Sequence, residues 1–243
     1  MIESDMAEKL WSKLQRILLE KEKAFISVTG GGGKTSFLVS FSSYLKKMGY
    51  SVLITTSTKL ASPYSFSYNT DYIFLTSSIL NYWPHKGESV LYGTYDEERG
   101  KTVSPPESIV SRLYERYDVV IVEADGSRRL PLKKHTERDP VIWSNTTSIV
   151  AISGLWGYGK RISDVVFGDK GEEIVNREYL DYLIMTPEGL GKGMSNKTKN
   201  LFLFNGGDVV DGSVISSLKG IKLPKDAIGF VVSLNEDKIY ESL

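Results

Sequence analysis

The segment Thr29-Gly30-Gly31-Gly32-Gly33-Lys34-Thr35 constrains this chain more than any other. Four consecutive glycines weaken a helix or a strand, because glycine loses the most conformational freedom on folding. They suit a backbone that must turn tightly and aim its amides at one point. The apolar run at 24–28 precedes them, and a helical stretch to Met48 follows, with Gly49 as its stop. Strand, glycine loop and helix together make an anion site, since loop amides converge and the helix N-terminus adds positive potential. Lys34 then suits the β and γ phosphates of a nucleotide, and the Thr35 hydroxyl suits magnesium. Gly30, Gly31, Gly32, Gly33 and Ser36 complete the expected cradle. The long form G-x-x-x-x-G-K-[ST] requires glycine where this chain has Val28; the short form G-G-x-G-K-T fits.

Beyond the loop, short apolar runs alternate with helical stretches. Strands are expected at 51–55, 119–122, 149–152, 201–204 and 228–232. Helices are expected near 106–116, 171–185 and 208–218. This rhythm predicts an α/β protein: a P-loop NTPase-like three-layer α/β/α fold with a mainly parallel sheet. Residues 1–243 read as one domain. Met6, Leu10, Leu14, Ile17 and Leu18 recur at helical spacing, so an amphipathic N-terminal helix is expected within 1–22. Residues 62–105 break the rhythm with six tyrosines and a tryptophan from Tyr64 to Tyr95, and two strand-like pieces at 71–75 and 89–92. They read as an insertion whose aromatics either pack its own core or form a recognition surface.

A phosphate loop needs an acid at the end of a neighbouring apolar strand. Val119-Val120-Ile121-Val122-Glu123-Ala124-Asp125-Gly126 supplies two. Glu123 and Asp125 share parity on a strand, so both point to one face. One can serve magnesium and the other can polarise a nucleophile; the sequence leaves open which does which. The next strand end, Thr55-Thr56-Ser57-Thr58-Lys59, puts hydroxyls and a lysine where sheets of this type line a ligand crevice. Thr58 and Lys59 are therefore candidate contacts. Arg128, Arg129, Lys133, Lys134 and His135 follow the acid pair as a local basic patch, and arginine forks suit phosphate or carboxylate. Arg128 joins Lys34, Glu123 and Asp125 as a candidate catalytic group. Asn205-Gly206-Gly207-Asp208 ends a strand with N-x-x-D, a spacing that can read a nucleobase or simply turn the chain into a helix cap.

Composition narrows the chemistry. Thirty Lys and Arg balance thirty Asp and Glu, for a formal net charge of zero. That argues against nucleic acid or an anionic membrane as partner, since both call for a basic excess. Cysteine is absent, which excludes thiolate catalysis, disulfides and thiolate metal sites, and there are only two histidines. The opening MIESDMAEKL is acidic and lacks an apolar core, so no signal peptide is expected and the reading is cytoplasmic.

The glycine loop is similar to those of ATPases with a GGxGKT motif and of the amide ligases of cell-wall synthesis. Four ordered pieces carry a closer resemblance: VTGGGGKT at 28–35, VLITTSTK at 52–59, VVIVEADGSRRLPLK at 119–133, and PEGLGKGM with LFLFNGGD within 187–208. Together they resemble the selenium-dependent molybdenum hydroxylase accessory proteins of the YqeC type. The EADG-x-[RK]-R-x-P-x-K segment is the most specific of them, and Gly206 stands where relatives tend to carry lysine. The resemblance implies an accessory factor in the maturation of molybdenum- or selenium-dependent hydroxylases, with a hydroxylase or a cofactor-maturation protein as partner. From the residues, the expected ligands are ATP or GTP with Mg2+, and the expected activity is magnesium-dependent hydrolysis. Two alternatives stay open: a small-molecule kinase or ATP-dependent ligase with an anionic acceptor, and a nucleotide-gated binding module or chaperone.

Overall fold

A computed structural model describes residues 9–19 and 23–243. Its elements, in chain order, are α1 (Leu10–Leu18), β1 (Ala24–Gly30), α2 (Lys34–Lys47), β2 (Val52–Thr56), β3 (Lys59–Ala61), β4 (Tyr72–Phe74), β5 (Ser89–Tyr92), β6 (Thr94–Asp96) and β7 (Lys101–Val103). They continue as α3 (Glu107–Tyr114), β8 (Val119–Glu123), β9 (Leu132–Lys133), β10 (Ser148–Gly154), α4 (Ile162–Val165) and β11 (Val166–Phe167). The last are α5 (Arg177–Met185), β12 (Lys199–Asn205), α6 (Gly212–Ser217), β13 (Ile228–Ser233) and β14 (Lys238–Ser242).

Nine strands form the central sheet, in the order β14-β13-β12-β10-β1-β8-β2-β5-β4. All neighbours pair in parallel except β13 and β14, which are antiparallel. β1 and β8 are buried along their whole length because helices cover both faces. Ala24, Ile26 and Val28 of β1 pack into the layer that holds α1 and α2. Phe25, on the opposite face, packs with Val110 and Leu113 of α3. Further along that face, Ala151, Phe202 and Val231 pack with residues of α4 and α5. The result is a three-layer α/β/α fold, built from parity along each strand.

The expected N-terminal helix is present as α1, with Leu10, Leu14 and Leu18 buried; Met6 lies outside the described residues. Trp11 docks it by stacking on Phe41 and meeting Phe37 edge-on, both on α2. The helices expected at 171–185 and 208–218 are shorter than the pattern suggested, and begin at the side-chain caps of Asn176 and Asp211.

The segment 62–105 is only partly an excursion. β5 pairs directly with β2 in the main sheet, and β4 extends it as the edge strand. The remainder, β6 and β7, forms a separate three-stranded sheet with β3. Its aromatics divide accordingly: Tyr68 and Tyr92 are buried, while Tyr64 and Trp83 are exposed. β1 lies at the centre of the fold, with the carboxyl ends of β8 and β2 on one side and of β10, β12 and β13 on the other.

Candidate functional site

The glycine loop leaves the carboxyl end of β1 and enters α2 at Lys34. Its glycines are demanded by close packing. A Cβ on Gly30 would lie 2.2 Å from the Ile152 carbonyl oxygen, and one on Gly32 would lie 2.3 Å from the Gly154 nitrogen. Gly32 also has φ +72°, a left-handed conformation that penalises any side chain. The loop is thus clamped between the end of β10 and the segment 127–131. At Gly33, the helix N-cap, there is no side chain to satisfy the first amides of α2. Those amides have no intrahelical acceptor, so an anion is their natural partner.

Lys34 is buried against its own loop. Its Nζ donates to the Gly30 carbonyl oxygen and forms an ion pair with Asp125 Oδ1 at 3.0 Å. Thr35 follows and donates its hydroxyl to Glu123 Oε2 at 3.1 Å. Glu123 is fixed from behind, where its carbonyl oxygen accepts from the Thr56 hydroxyl at 2.8 Å and the Ser57 amide at 3.1 Å. Thr56, within the hydroxyl cluster of β2, is therefore a positioning residue.

The two acids do reach the same loop, but they occupy different environments. Glu123 borders the open cavity beside Thr35. Burial pushes its carboxyl up to about 7, with the Asp125 charge adding to the rise and Lys34 and the Thr35 hydrogen bond opposing it. Asp125 lies behind the loop and is wholly buried. Its Oδ2 accepts from the Gly30 amide at 2.8 Å and meets His135 Nε2 at 2.7 Å, with Lys133 Nζ 3.8 Å away. Burial alone would raise this carboxyl; Lys34, the His135 hydrogen bond and Lys133 outweigh it and hold the group down at about 2.

The basic patch at 128–135 divides on folding. Lys133 is wholly buried and pairs with Asp139 while donating to the Gly126 carbonyl oxygen. His135 is buried between Asp125 and the Gly189 carbonyl oxygen. Lys134 turns to Asp169 and Tyr182. These three brace the loop from below. Arg128 and Arg129 alone among the patch reach the cavity. Both are non-glycine residues in left-handed backbone, with φ 51° and 66°. Such a conformation costs on the order of 1–3 kcal/mol per residue and is characteristic of functional loops. The segment is anchored by the Leu130 amide on the Ser127 carbonyl oxygen and by the Gly154 amide on that of Pro131.

A cavity of about 910 Å³ opens over the loop. Gly32, Gly33, Lys34, Thr35, Ser36 and Glu123 form its centre. On the β10 side stand Trp156, Asn205, Asp208 and Asn235. On the β2 side stand Lys59, Ser62, Ser65 and Lys101. Thr58 stays off the wall; its amide donates to the Thr56 hydroxyl. Asn205 is committed to the loop: its Nδ2 donates to the Gly32 carbonyl oxygen at 2.9 Å, and its Oδ1 accepts from the Leu234 amide at 3.1 Å. Asp208 is exposed on the wall. Trp156 was not evident from sequence; it lies against Gly154 and Gly206, and a Cβ at either glycine would come within 3.0 Å of its ring. Lysine at position 206 would therefore crowd the indole. Lys101 and Asn235 likewise carried no motif signal.

Among the described residues no three or more His, Asp or Glu side chains converge to hold a metal ion. Magnesium does not need such a cage, because it binds through one or two protein oxygens together with ligand phosphates and water. Thr35 and Glu123 offer that oxygen pair. Among the described residues no helix is long and apolar enough to cross a membrane.

A family model for the YqeC protein matches residues 26–169, which contain the glycine loop, the Thr-rich strand end, the acid pair and the arginines. The chain is also 31% identical over 150 residues to the uncharacterized protein YqeC of Escherichia coli K12. That match covers 59% of this chain and 57% of the relative, so it spans little more than half the length of the curated protein. On the family match, the chain belongs to the YqeC family.

Proposed function

We propose that this protein binds a magnesium nucleoside triphosphate at the glycine loop and hydrolyses it. The observation that carries the reading is the Thr35–Glu123 hydrogen bond at the mouth of the loop, directly beside the uncapped start of α2. The amides of the first turn and the Lys34 ammonium would hold the phosphates. Thr35 and Glu123 would hold magnesium, the carboxylate through water, and the ion would shield phosphate charge. Asp125 is assigned a supporting role, because its oxygens are already engaged by Lys34, His135 and the Gly30 amide. Asp125 fixes the charge and position of Lys34; His135 and Lys133 fix Asp125. Arg128 lines the cavity wall, where a guanidinium would meet charge developing on a transferred phosphoryl group. Catalysis of this kind is positioning and electrostatics, with no covalent enzyme intermediate required.

The nucleoside would lie toward Trp156, whose ring offers a stacking surface, with Asp208 as an acceptor at the base edge. Following the motif resemblance, we propose that the nucleotide cycle serves maturation of molybdenum- or selenium-dependent hydroxylases. The partner would be the hydroxylase or one of its maturation proteins.

Thermal unfolding with ATP, GTP and magnesium titrated separately tests the core of this reading. A ligand at a hundredfold excess over its Kd should stabilise the fold by about 2.7 kcal/mol. Lys34→Ala should abolish that shift. No stabilisation of the wild-type protein by either nucleotide with magnesium would overturn the proposal.

A further inference from the structure

Five cations and two acids line the cavity, in a chain whose formal net charge is zero. Lys34 is spoken for by Asp125. The other four, Lys59, Lys101, Arg128 and Arg129, are exposed and have no carboxylate partner among the described residues. Arg128 has an aromatic one, the Phe167 ring, at 5.4 Å.

The two lysines are placed together by sheet register. In the antiparallel pair β3–β7, Lys59 lies opposite Val103 and Ala61 lies opposite Lys101. Lys59 and Lys101 are therefore diagonal neighbours on one face of the small sheet, and both line the cavity. Like charges gathered on one face repel, and an anion between them offsets that repulsion. Asp96, directly across from Lys101, turns instead to Arg99 at 3.2 Å. The arginine pair carries a separate signal: its left-handed backbone, at two successive residues, is kept despite its strain.

Sheet order separates these cations from the nucleoside end. The phosphate loop leaves the central β1, the aromatic Trp156 lies beyond it on the β10 side, and the lysine pair lies on the β2 side. A nucleotide held by its phosphates at the centre extends its nucleoside in one direction only.

We propose that the flank formed by Lys59 and Lys101, bridged to the loop by Arg128 and Arg129, binds a second small molecule alongside the nucleotide. That molecule carries phosphate or clustered carboxylates. The proposal rests on the nucleotide reading above and adds a ternary site to it. Lys133, which the basic sequence patch included, takes no part, because it is sealed beneath the loop.

The test uses the full chain saturated with magnesium and a non-hydrolysable triphosphate, so that the loop is filled. Inorganic pyrophosphate and citrate are then titrated in separate calorimetric arms. Binding of either one, weakened tenfold or more in Lys59→Ala/Lys101→Ala while nucleotide affinity stays within twofold, is the expected result. Which anion binds tells phosphate chemistry from carboxylate chemistry. The proposal is overturned if neither binds, if the anion displaces the nucleotide, or if the double variant binds it as well as wild type. If no triphosphate binds, the nucleotide reading fails by itself. The same titrations on nucleotide-free Lys34→Ala protein, with and without the lysine substitutions, then still read the cationic flank.

Discussion

Asp125 and His135 meet at 2.7 Å beneath the glycine loop, both side chains fully out of solvent. The other ring nitrogen faces the Gly189 carbonyl oxygen, also at 2.7 Å. Both neighbours are acceptors, so the ring satisfies both only when each nitrogen carries hydrogen. The imidazole thus joins Lys34 and Lys133 around one carboxylate. This buried cluster ties the loop at Gly30 to the segment near Gly189, which is remote in sequence.

Breaking the cluster should be expensive. Removing one member of a buried ion pair costs about 3–5 kcal/mol, mostly by stranding its partner. Asp125→Asn and His135→Ala should each lower stability by that order in urea unfolding. The double variant should lose less than the sum, with a coupling of about 1.5–3 kcal/mol, the usual worth of a hydrogen bond to a charged group. Simple additivity would mean that the contact carries no energy.

Glu123 gives the opposite pH signature. Its folded carboxyl is raised from 4.5 to about 7, so between these values the folded state binds more protons than the unfolded. Stability must then fall as pH rises through that window, by up to about 3 kcal/mol at about 1.36 kcal/mol per unit. The ligand-free wild-type protein should show this slope, and Glu123→Gln should flatten it. Asp125, held at about 2, is stabilising above its unfolded value of 3.8, and that contribution is lost as pH falls through about 2. The two effects separate in one pH series of unfolding curves.

Gly32 links sequence to fold most directly. A Cβ there meets the Gly154 nitrogen at 2.3 Å and the Pro131 carbonyl oxygen at 2.8 Å, all rigid backbone, and φ is +72°. Gly32→Ala should destabilise by at least about 1–3 kcal/mol through strain and overpacking. A Gly49→Ala control has open space around its Cβ. It retains only the penalty of its φ of +87°, and should cost less.

The central sheet was legible because its strands are continuous apolar runs, such as Val119 to Val122, each ending in polar residues. β5 reads as part of an insertion because Ser89-Val90-Leu91-Tyr92 looks the same whether it joins the main sheet or a small one; its pairing with β2 puts it in the main sheet. Glu123 and Asp125 were found together since strand parity puts them on one side. Their different environments depend on burial and on His135, ten residues beyond Asp125, neither of which has a local pattern. Trp156 is not legible in the sequence because a lone tryptophan after a strand has no spacing signal. Its place on the cavity wall depends on the glycines at 154 and 206 that make room for it.

Asn205 distinguishes base reading from loop support. Its amide nitrogen holds the Gly32 carbonyl oxygen and its amide oxygen holds the Leu234 amide, leaving the carboxamide engaged at both ends. Under the proposed function the loop holds only phosphates, so a residue that acts on the loop should affect every nucleotide alike. Asn205→Ala should therefore weaken ATP and GTP by one common factor of about ten, the equivalent of about 1.4 kcal/mol for a lost hydrogen bond. Asp208→Ala, exposed on the wall toward Trp156, should change the ratio of the two affinities instead. Fluorescence or calorimetric titration of both nucleotides against both variants gives the four constants required. An Asn205 variant that altered the ATP-to-GTP ratio would assign the carboxamide to the base rather than to Gly32.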